Sequence, residues 1–283
     1  MTEGIVNAAE LMPHHAVALA AERLIGAGRQ GVATGPVRHV LGAADLVLAY
    51  EVQRVVAATR VAEGGRVVGR KVGLTSPVVQ RQFGVDQPDF GVLFEDMLVP
   101  SGGEVDWSRL IAPKAEAEIA FVLGADLDGF GAGASPDTGV GEADRVAVAA
   151  AVDYAVAALE IVDSRVADWD ITITDTVADN ASSGLFVLGD RRVPLSEFAP
   201  LEVTMSLAKD GVLVSTGDGA ACLGDPLNAL VWVARMAASL GAPLRAGDVV
   251  LSGALGAMVT VEPGNEITAE LSVLGAVSVT FSK

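Results

Sequence analysis

The pattern of apolar and polar residues changes along the chain from a helical period to short, strand-like runs. In the first part, apolar residues recur at intervals of three and four, which predicts helices over residues 7–29 and roughly 42–63. The sequence "EGG" at 63–65 ends the second helical pattern. Residues 1–66 are therefore predicted to form a small helical N-terminal subdomain.

In the remainder of the chain, short runs of Val, Ile and Leu alternate with Gly, Pro and Asp, which is typical of strands separated by turns. The clearest hairpin is "VTMSLAKDGVLVST", because Asp210 and Gly211 form a favoured two-residue turn between alternating strands. Helices are predicted near 141–151 and near 226–240. The pattern indicates an α+β fold, with residues 67–283 as one mixed-β catalytic domain.

The composition excludes some classes of function. The 283 residues include 19 Lys and Arg but 36 Asp and Glu. The resulting formal charge of −17 disfavours binding to nucleic acid or to an anionic membrane. The most apolar segment, residues 146–162, is too short for a membrane span and contains two acidic residues. No secretory signal is visible, and the single Cys222 excludes an internal disulfide. These features predict a cytoplasmic protein without a membrane segment.

One glycine motif is rejected on its context. Residues 26–31, "GAGRQG", match the spacing of a dinucleotide-binding loop. That loop follows a strand and opens a helix, whereas this one follows a helical pattern. We therefore interpret Gly26 and Gly28 as the end of the first helix.

Two glutamates lie one residue apart in the apolar segment "PKAEAEIAFVL". In a strand, Glu116 and Glu118 point to the same face, where two like charges repel unless a cation lies between them. A solvated strand face is the alternative interpretation. The apolar neighbours favour burial, where unpaired carboxylates are costly. A third acid, Glu160, occupies an equally apolar segment, "AVAALEIVDSR".

The ligand types available favour a hard metal ion. All three histidines, His14, His15 and His39, lie in the first 40 residues, and there is one cysteine. A metal near the three glutamates would therefore be bound by oxygen, which favours Mg2+ or Mn2+ over zinc.

Several blocks of the sequence resemble a known family. The most specific are "VVGRKVGLTSPVVQRQFGVDQPDFGVLFEDM" at 67–97 and "DTVADNASSG" at 175–184; others are "ALEIVDSRVADW", "CLGDPLNALVWVAR" and "GDVVLSGALGAM". In this order, over nearly the whole chain, they resemble the 2-hydroxypenta-2,4-dienoate hydratases. This family is also called the 2-keto-4-pentenoate hydratases, and it belongs to the fumarylacetoacetate hydrolase superfamily.

The resemblance implies a mixed β-roll or barrel core packed with helices. It also implies a Mg2+ or Mn2+ ion held by Glu116, Glu118 and Glu160, with Asp163 close by, and assembly into a pentamer or decamer. One departure is Lys114, where many relatives have Arg. Lysine keeps the charge but loses the two-pronged geometry of the guanidinium.

The implied reaction adds water to a dienol carboxylate and yields a 4-hydroxy-2-oxo acid, in the catabolism of aromatic compounds or steroids. The substrate's carboxylate and 2-oxygen form a five-membered chelate with one divalent ion, which polarises the 2-oxo group. Our hypothesis has two stages: ketonisation with protonation at C5, then addition of water at C4 with protonation at C3. A five-carbon dienoate and longer homologues are both compatible with the resemblance.

Three residues are predicted to move protons in this reaction. Lys71 is the leading candidate for donating a proton to carbon or holding the enolate oxygen, and a strand-edge lysine is the alternative. Asp89 is predicted to orient water or act as a base, with Asp86 as the second choice. The alternative for both aspartates is a turn around Pro88.

Four residues are predicted to contact the substrate: Ser182, Asn180, Ser252 and Gly253. The alternative for Ser182 and Asn180 is ordinary loop chemistry in the Gly-ended segment "DNASSG".

Other functions stay open on the sequence alone. The nearest is 4-oxalocrotonate decarboxylation on the same scaffold, which requires a place for a second substrate carboxylate. A carbon–carbon hydrolase is disfavoured because the histidines are confined to the N-terminal region. A non-catalytic partner of the decarboxylase is an alternative of another class, and a complex between the hydratase and that decarboxylase also stays open.

Overall fold

The computed structural model describes residues 8–76, 80, 85, 87–131 and 139–283, with the backbone alone for residues 8–12. The helices are α1 (Ala8–Gln30), α2 (Arg38–Leu41), α3 (Leu46–Ala62), α4 (Glu142–Ala151), α5 (Ile173–Ala178) and α6 (Pro226–Ser239). The first two predicted helices correspond to α1 and α3, and those predicted near 141–151 and 226–240 to α4 and α6. The boundary at residue 66 stays a prediction.

The first helix matches its predicted range of 7–29 within one residue, but Gly26 and Gly28 do not end it. Helix α1 continues through Gly26 and Gly28 to Gln30, and Gly31 follows in the left-handed region at φ 64°. A glycine inside a helix costs only about 1 kcal/mol relative to alanine, and the packing of α1 on α3 outweighs that cost.

Helix α3 begins later than its pattern suggested. The Asp45 side chain accepts a hydrogen bond from the Leu48 backbone N–H at 3.0 Å, which caps the helix. Gly42, the predicted opening, instead ends the short helix α2 with φ 101°.

Two β-sheets form the rest of the fold. Their strands are β1 (Val67–Gly73), β2 (Asp89–Phe94), β3 (Leu98–Pro100), β4 (Gly103–Val105), β5 (Pro113–Leu123), β6 (Val152–Asp163), β7 (Ser183–Leu188), β8 (Thr204–Lys209), β9 (Val212–Asp218), β10 (Val249–Leu251), β11 (Val259–Thr260), β12 (Glu266–Leu271) and β13 (Gly275–Phe281). A mixed eight-stranded sheet has the order β2-β1-β10-β5-β6-β7-β3, with β11 paired to β5, and it curls into a half-barrel. A five-stranded sheet has the order β4-β13-β12-β8-β9. The predicted α+β fold is confirmed.

The predicted hairpin is also confirmed. Strands β8 and β9 are joined by Asp210 and Gly211, whose φ angles of 52° and 74° are both left-handed, as a tight hairpin turn requires.

The core has two parts. The larger joins both sheets and helix α6 and includes the fully buried Phe121, Phe186 and Leu159. The smaller lies among α1, α3 and α5 and includes Leu24, Val52 and others. Burying one such side chain contributes about 1.5–3 kcal/mol, so these contacts fix the helices against the half-barrel.

The apolar segment at 146–162 is divided between α4 and β6. In the described part of the chain, no helix combines the length and the apolarity needed to cross a bilayer.

Candidate metal centre and active site

Neighbouring strands β5 and β6 bring three glutamates together. They pair antiparallel with Glu116 directly opposite Glu160, while Glu118 lies opposite Ala158 and therefore diagonal to Glu160. One carboxylate oxygen from each of the three lies within 4.8 Å of the other two. The alternation of side chains along β5 places Glu116 and Glu118 on one face, as the sequence predicted.

The protein compensates only part of the negative charge of the three carboxylates. Glu118 and Glu160 are 0% and 1% exposed, while Glu116 is half-buried. Glu118 Oε2 accepts a hydrogen bond from the Gly253 backbone N–H at 2.7 Å. Within the described residues, Glu118 Oε1 and Glu160 Oε2 have no hydrogen-bond partner. A buried charge without partners is costly, so this group fits a cation.

The acid–base properties of the group agree with that interpretation. Burial and the neighbouring Glu160 carboxylate raise the pKa of Glu116 to about 7. Burial, followed by repulsion from the other two glutamates, also raises the pKa of Glu118. A divalent cation would favour the ionised form of each. With three oxygen ligands and no nitrogen or sulfur among them, the group could hold a hard metal ion.

Lys71 is buried inside the half-barrel and faces the same group. Its Nζ lies 3.1 Å from Glu160 Oε1, and the residue is 3% exposed. Strand β1 is flanked by β2 and β10, so the alternative of a strand-edge lysine is wrong. Burial lowers the pKa of Lys71, but the surrounding carboxylates, mainly Glu160, raise it by a larger amount. The net effect is a raised pKa. The side chain is thus an ammonium in the metal-free protein.

Asp89 begins strand β2 and is 2% exposed, so the turn interpretation of this residue is wrong. Its Oδ2 lies 3.4 Å from the Thr176 hydroxyl, and its Oδ1 has no hydrogen-bond partner in the described part of the chain. Burial raises the pKa of Asp89, while Lys71 and Thr176 lower it less. Asp86, the second choice for this role, lies outside the described residues.

A glycine makes room for Lys71 and Asp89 in the same space. Gly73 pairs with Asp89 across β1 and β2. A Cβ atom at Gly73 would lie 2.2 Å from Asp89 Oδ1 and 3.4 Å from Lys71 Nζ. Only a residue without a side chain therefore lets both polar atoms occupy this position.

The segment "DNASSG" forms a strained turn beside Asp89. Asn180, Ala181 and Ser182 have φ angles of 55°, 52° and 53°, and each left-handed residue costs about 1–2 kcal/mol. The buried Ser182 hydroxyl lies 3.4 Å from that of Thr176, which places it next to Asp89. The Asn180 amide instead bonds the backbone of Val92, accepting from its N–H at 2.8 Å and donating to its carbonyl at 2.9 Å.

The other two predicted substrate contacts, Ser252 and Gly253, lie next to strand β5 and bond to Ile119 and Glu118. The buried Ser252 hydroxyl accepts from the Ile119 backbone N–H at 3.3 Å and donates to the Gly253 carbonyl at 3.1 Å. Gly253 has φ 102°, and a Cβ there would lie 2.4 Å from the Thr75 side chain. The backbone N–H of Gly253 bonds Glu118, a candidate metal ligand. Contact of Ser252 and Gly253 with the substrate stays a prediction.

The roles of Gly73 and Thr176 were not apparent from the sequence. The charge of Lys71 in the apolar segment "GRKVGL" indicated a role for the lysine but not for the glycine two positions later. Thr176 lies in the six-residue helix α5, which no apolar period indicated. Asp163, predicted to lie close to the metal, accepts from the Ile111 and Ala112 backbone N–H groups at 3.0 and 2.7 Å, and so anchors the start of β5.

Comparison with known proteins shows the family to which the chain belongs. The model of the fumarylacetoacetate hydrolase C-terminal family matches residues 66–282, and the chain belongs to that family. It is 49% identical to the 2-keto-4-pentenoate hydratase of Burkholderia vietnamiensis over 95% of this chain and 98% of that protein. It is also 49% identical to the TodF product hydratase of Pseudomonas putida, over 95% of this chain and 96% of that protein.

A solved structure supports the fold. The 4-oxalocrotonate decarboxylase from Pseudomonas putida G7, complexed with magnesium and adipate, superposes with a TM-score of 0.86. It is 35% identical, and the match covers 95% of this chain and 98% of the decarboxylase chain.

Proposed function

We propose that this protein is a metal-dependent hydro-lyase that adds water to 2-hydroxypenta-2,4-dienoate and yields 4-hydroxy-2-oxopentanoate. The observation that carries the proposal is the convergence of Lys71 and Asp89 on a buried group of three glutamates. The 49% identity to proteins named as hydratases supports the reaction type. In this role the enzyme would serve the breakdown of ring-cleaved aromatic compounds or steroids.

Glu116, Glu118 and Glu160 would hold Mg2+ or Mn2+, since three anionic oxygens suit either ion. When bound, the ion supplies positive charge that polarises the substrate's 2-oxygen and stabilises an enolate-like state. Gly253 orients Glu118 through its backbone N–H, which fixes one ligand before metal binds.

Lys71 would stabilise negative charge on the substrate. Its ammonium lies in a buried setting, where electrostatic interactions are stronger than in water. The raised pKa of Lys71 keeps the ammonium protonated, so the side chain is a fixed positive charge and hydrogen-bond donor rather than a base. We assign it to the developing enolate oxygen.

Asp89 would accept and donate the protons of the reaction. The Thr176 hydroxyl contacts Asp89, and the Ser182 hydroxyl contacts that of Thr176. In the first stage one proton leaves the 2-hydroxyl group and another reaches C5. In the second, the oxygen of water bonds to C4, one of its protons is taken up by a base such as Asp89, and C3 gains a proton. The product then contains one more water than the substrate.

Decarboxylation of 4-oxalocrotonate is the second candidate, because a decarboxylase shares the fold at 35% identity. That substrate carries a second carboxylate, which needs a cation. Lys114 lies on the same face of β5 as Glu116, with its Nζ 4.0 Å from the centre of the Trp169 ring. The higher identity to the hydratases favours hydration.

We propose self-association of this chain as well. Val212, Leu213 and Val214 are 65%, 61% and 41% exposed on β9, the terminal strand of its sheet, and exposed apolar edge strands favour pairing with another chain. A pentamer or decamer, a complex with a decarboxylase, and a cytoplasmic location stay predictions.

The test is a comparison of the two substrates. Protein stripped with EDTA is mixed with 2-hydroxypenta-2,4-dienoate or with 4-oxalocrotonate, with and without Mg2+ or Mn2+. We expect metal-dependent loss of the dienol absorbance and a product heavier by one water. Release of carbon dioxide from 4-oxalocrotonate with no turnover of the dienoate would assign the decarboxylase instead, and no turnover of either would fit a non-catalytic partner.

A further inference from the structure

Strand β2, which begins with Asp89, lies at the end of the eight-stranded sheet. Its outer edge has no neighbouring strand among the described residues, so its backbone groups there need other partners. Two side-chain amides supply them. Asn180 bonds both backbone groups of Val92, and Gln53 donates to the Phe90 carbonyl at 2.8 Å.

Gln53 also contacts the second element of the site. Its Nε2 donates to the Val177 carbonyl in helix α5 at 3.0 Å, and the residue is 4% exposed. Phe90 and Val177 directly follow Asp89 and Thr176, the pair whose side chains meet at 3.4 Å. One amide nitrogen thus joins the two segments that bring this pair together.

A second contact from the N-terminal helices holds α5 in the same place. Arg38 donates from its backbone N–H to Asp175 Oδ1 at 2.9 Å, and from Nη1 to Asp175 Oδ2 at 2.7 Å. The six-residue helix α5 is too short to be stable alone. Its position therefore depends on the N-terminal helices.

We propose that Gln53 is a positioning residue for Asp89: it fixes β2 against α5 so that Asp89 and Thr176 stay in register. This inference rests on the proposed hydratase function, in which Asp89 handles protons. It makes helix α3 part of the machinery that supports catalysis, although α3 supplies no group to the space around the glutamates.

The test compares Gln53→Met with Val52→Ala. The methionine keeps the shape of glutamine without its donors, while Val52 is a fully buried α3 residue whose truncation weakens packing without removing either hydrogen bond. With metal-loaded full-length protein, we expect kcat for the dienoate to fall about tenfold or more in Gln53→Met, with a smaller change in KM. Val52→Ala should keep kcat within about twofold of the wild type, even if both variants lose similar stability.

A double variant tests whether Gln53 acts through Asp89. In an Asp89→Asn background, Gln53→Met should lower kcat by less than about twofold, because residues that act as a unit are not additive. A full tenfold loss in that background, or equal losses in Gln53→Met and Val52→Ala, would overturn the proposal. If Gln53→Met does not fold, Gln53→Asn keeps the amide with a shorter reach and is expected to show the same pattern.

Hydrogen exchange separates this inference from the proposed function. Gln53→Met should speed amide exchange about fivefold in Asp89–Phe94 and Ile173–Ala178, with no change in the distant strands β12 and β13. A wild-type protein without hydratase activity would refute the proposed function, and the exchange measurement would still test whether Gln53 fixes β2 against α5. Unchanged exchange in both segments would refute this role of Gln53.

Discussion

The metal-free protein should lose stability as the pH rises through neutrality. Glu116 has its pKa raised from 4.5 to about 7, mainly by burial and then by Glu160. A carboxyl group whose pKa is raised on folding binds a proton more tightly in the folded than in the unfolded chain. Its stabilising effect is therefore complete below pH 4.5 and is lost as the pH rises through about 7.

The magnitude follows from the two pKa values. At about 1.4 kcal/mol per pH unit, the rise from 4.5 to about 7 corresponds to about 3 kcal/mol in the free energy of unfolding. Roughly 2 kcal/mol of this falls between pH 5.5 and 8, a window above the sequence pI of 4.4. Glu118 and Glu160 have pKa values shifted in the same direction and should add to the loss.

The assay is urea unfolding of EDTA-stripped protein at several pH values from 5.5 to 8. Glu116→Gln removes the titrating group, so the wild type should lose about 2 kcal/mol more than this variant across the window. The exposed Glu202→Gln makes the same change in net charge and should follow the wild type. At a hundred times its dissociation constant, a ligand adds about 2.7 kcal/mol to the free energy of unfolding. Saturating Mg2+ should therefore abolish the difference in pH dependence between the wild type and Glu116→Gln. If the free energy of unfolding without metal changes equally with pH in the wild type and in Glu116→Gln, the titration of Glu116 does not cause the loss of stability.

Three further predictions concern single residues. Glu118→Gln removes one anionic ligand and should weaken Mg2+ or Mn2+ binding at least about tenfold in calorimetry, with the fold retained by circular dichroism. Lys71→Met should lower kcat about 100-fold or more in the dienol absorbance assay, with metal affinity preserved or increased. Gly73→Ala should lower kcat about 100-fold, because its Cβ would lie 2.2 Å from Asp89 Oδ1, whereas Gly26→Ala, with open space around its Cβ, should keep full activity.

Features determined by neighbouring residues could be predicted from the sequence. The turn at Asp210 and Gly211 follows from the types of these two residues. The position of Glu116 and Glu118 on one face of β5 follows from the alternation of side chains along a strand. Burial of these glutamates was indicated by the apolar residues on both sides. The association of Glu160 with them came from the similar setting of its segment and from the family resemblance.

Features determined by tertiary contacts could not be predicted in this way. Thr176 meets Asp89 across 87 positions of the chain, and Gln53 meets Phe90 across 37. Helix α5 has no apolar period of its own, and it forms because Thr172 and Asp175 cap it and Arg38 holds it. Asn180 has the residue type of a substrate ligand, yet its amide bonds Val92 on the edge of β2 that faces away from β1. The sequence did not identify β2 as a strand.

We propose that Glu116, Glu118 and Glu160 hold one metal ion on which hydration depends. The most direct measurement is the initial rate of dienoate turnover by EDTA-stripped protein as Mn2+ is added in steps to a concentrated sample. We expect no turnover without metal, a linear rise, and a plateau at one ion per chain, with no plateau at that ratio for Glu118→Gln. Full turnover by the stripped protein, or activity that reaches its plateau at one ion per chain in Glu118→Gln, would contradict the account.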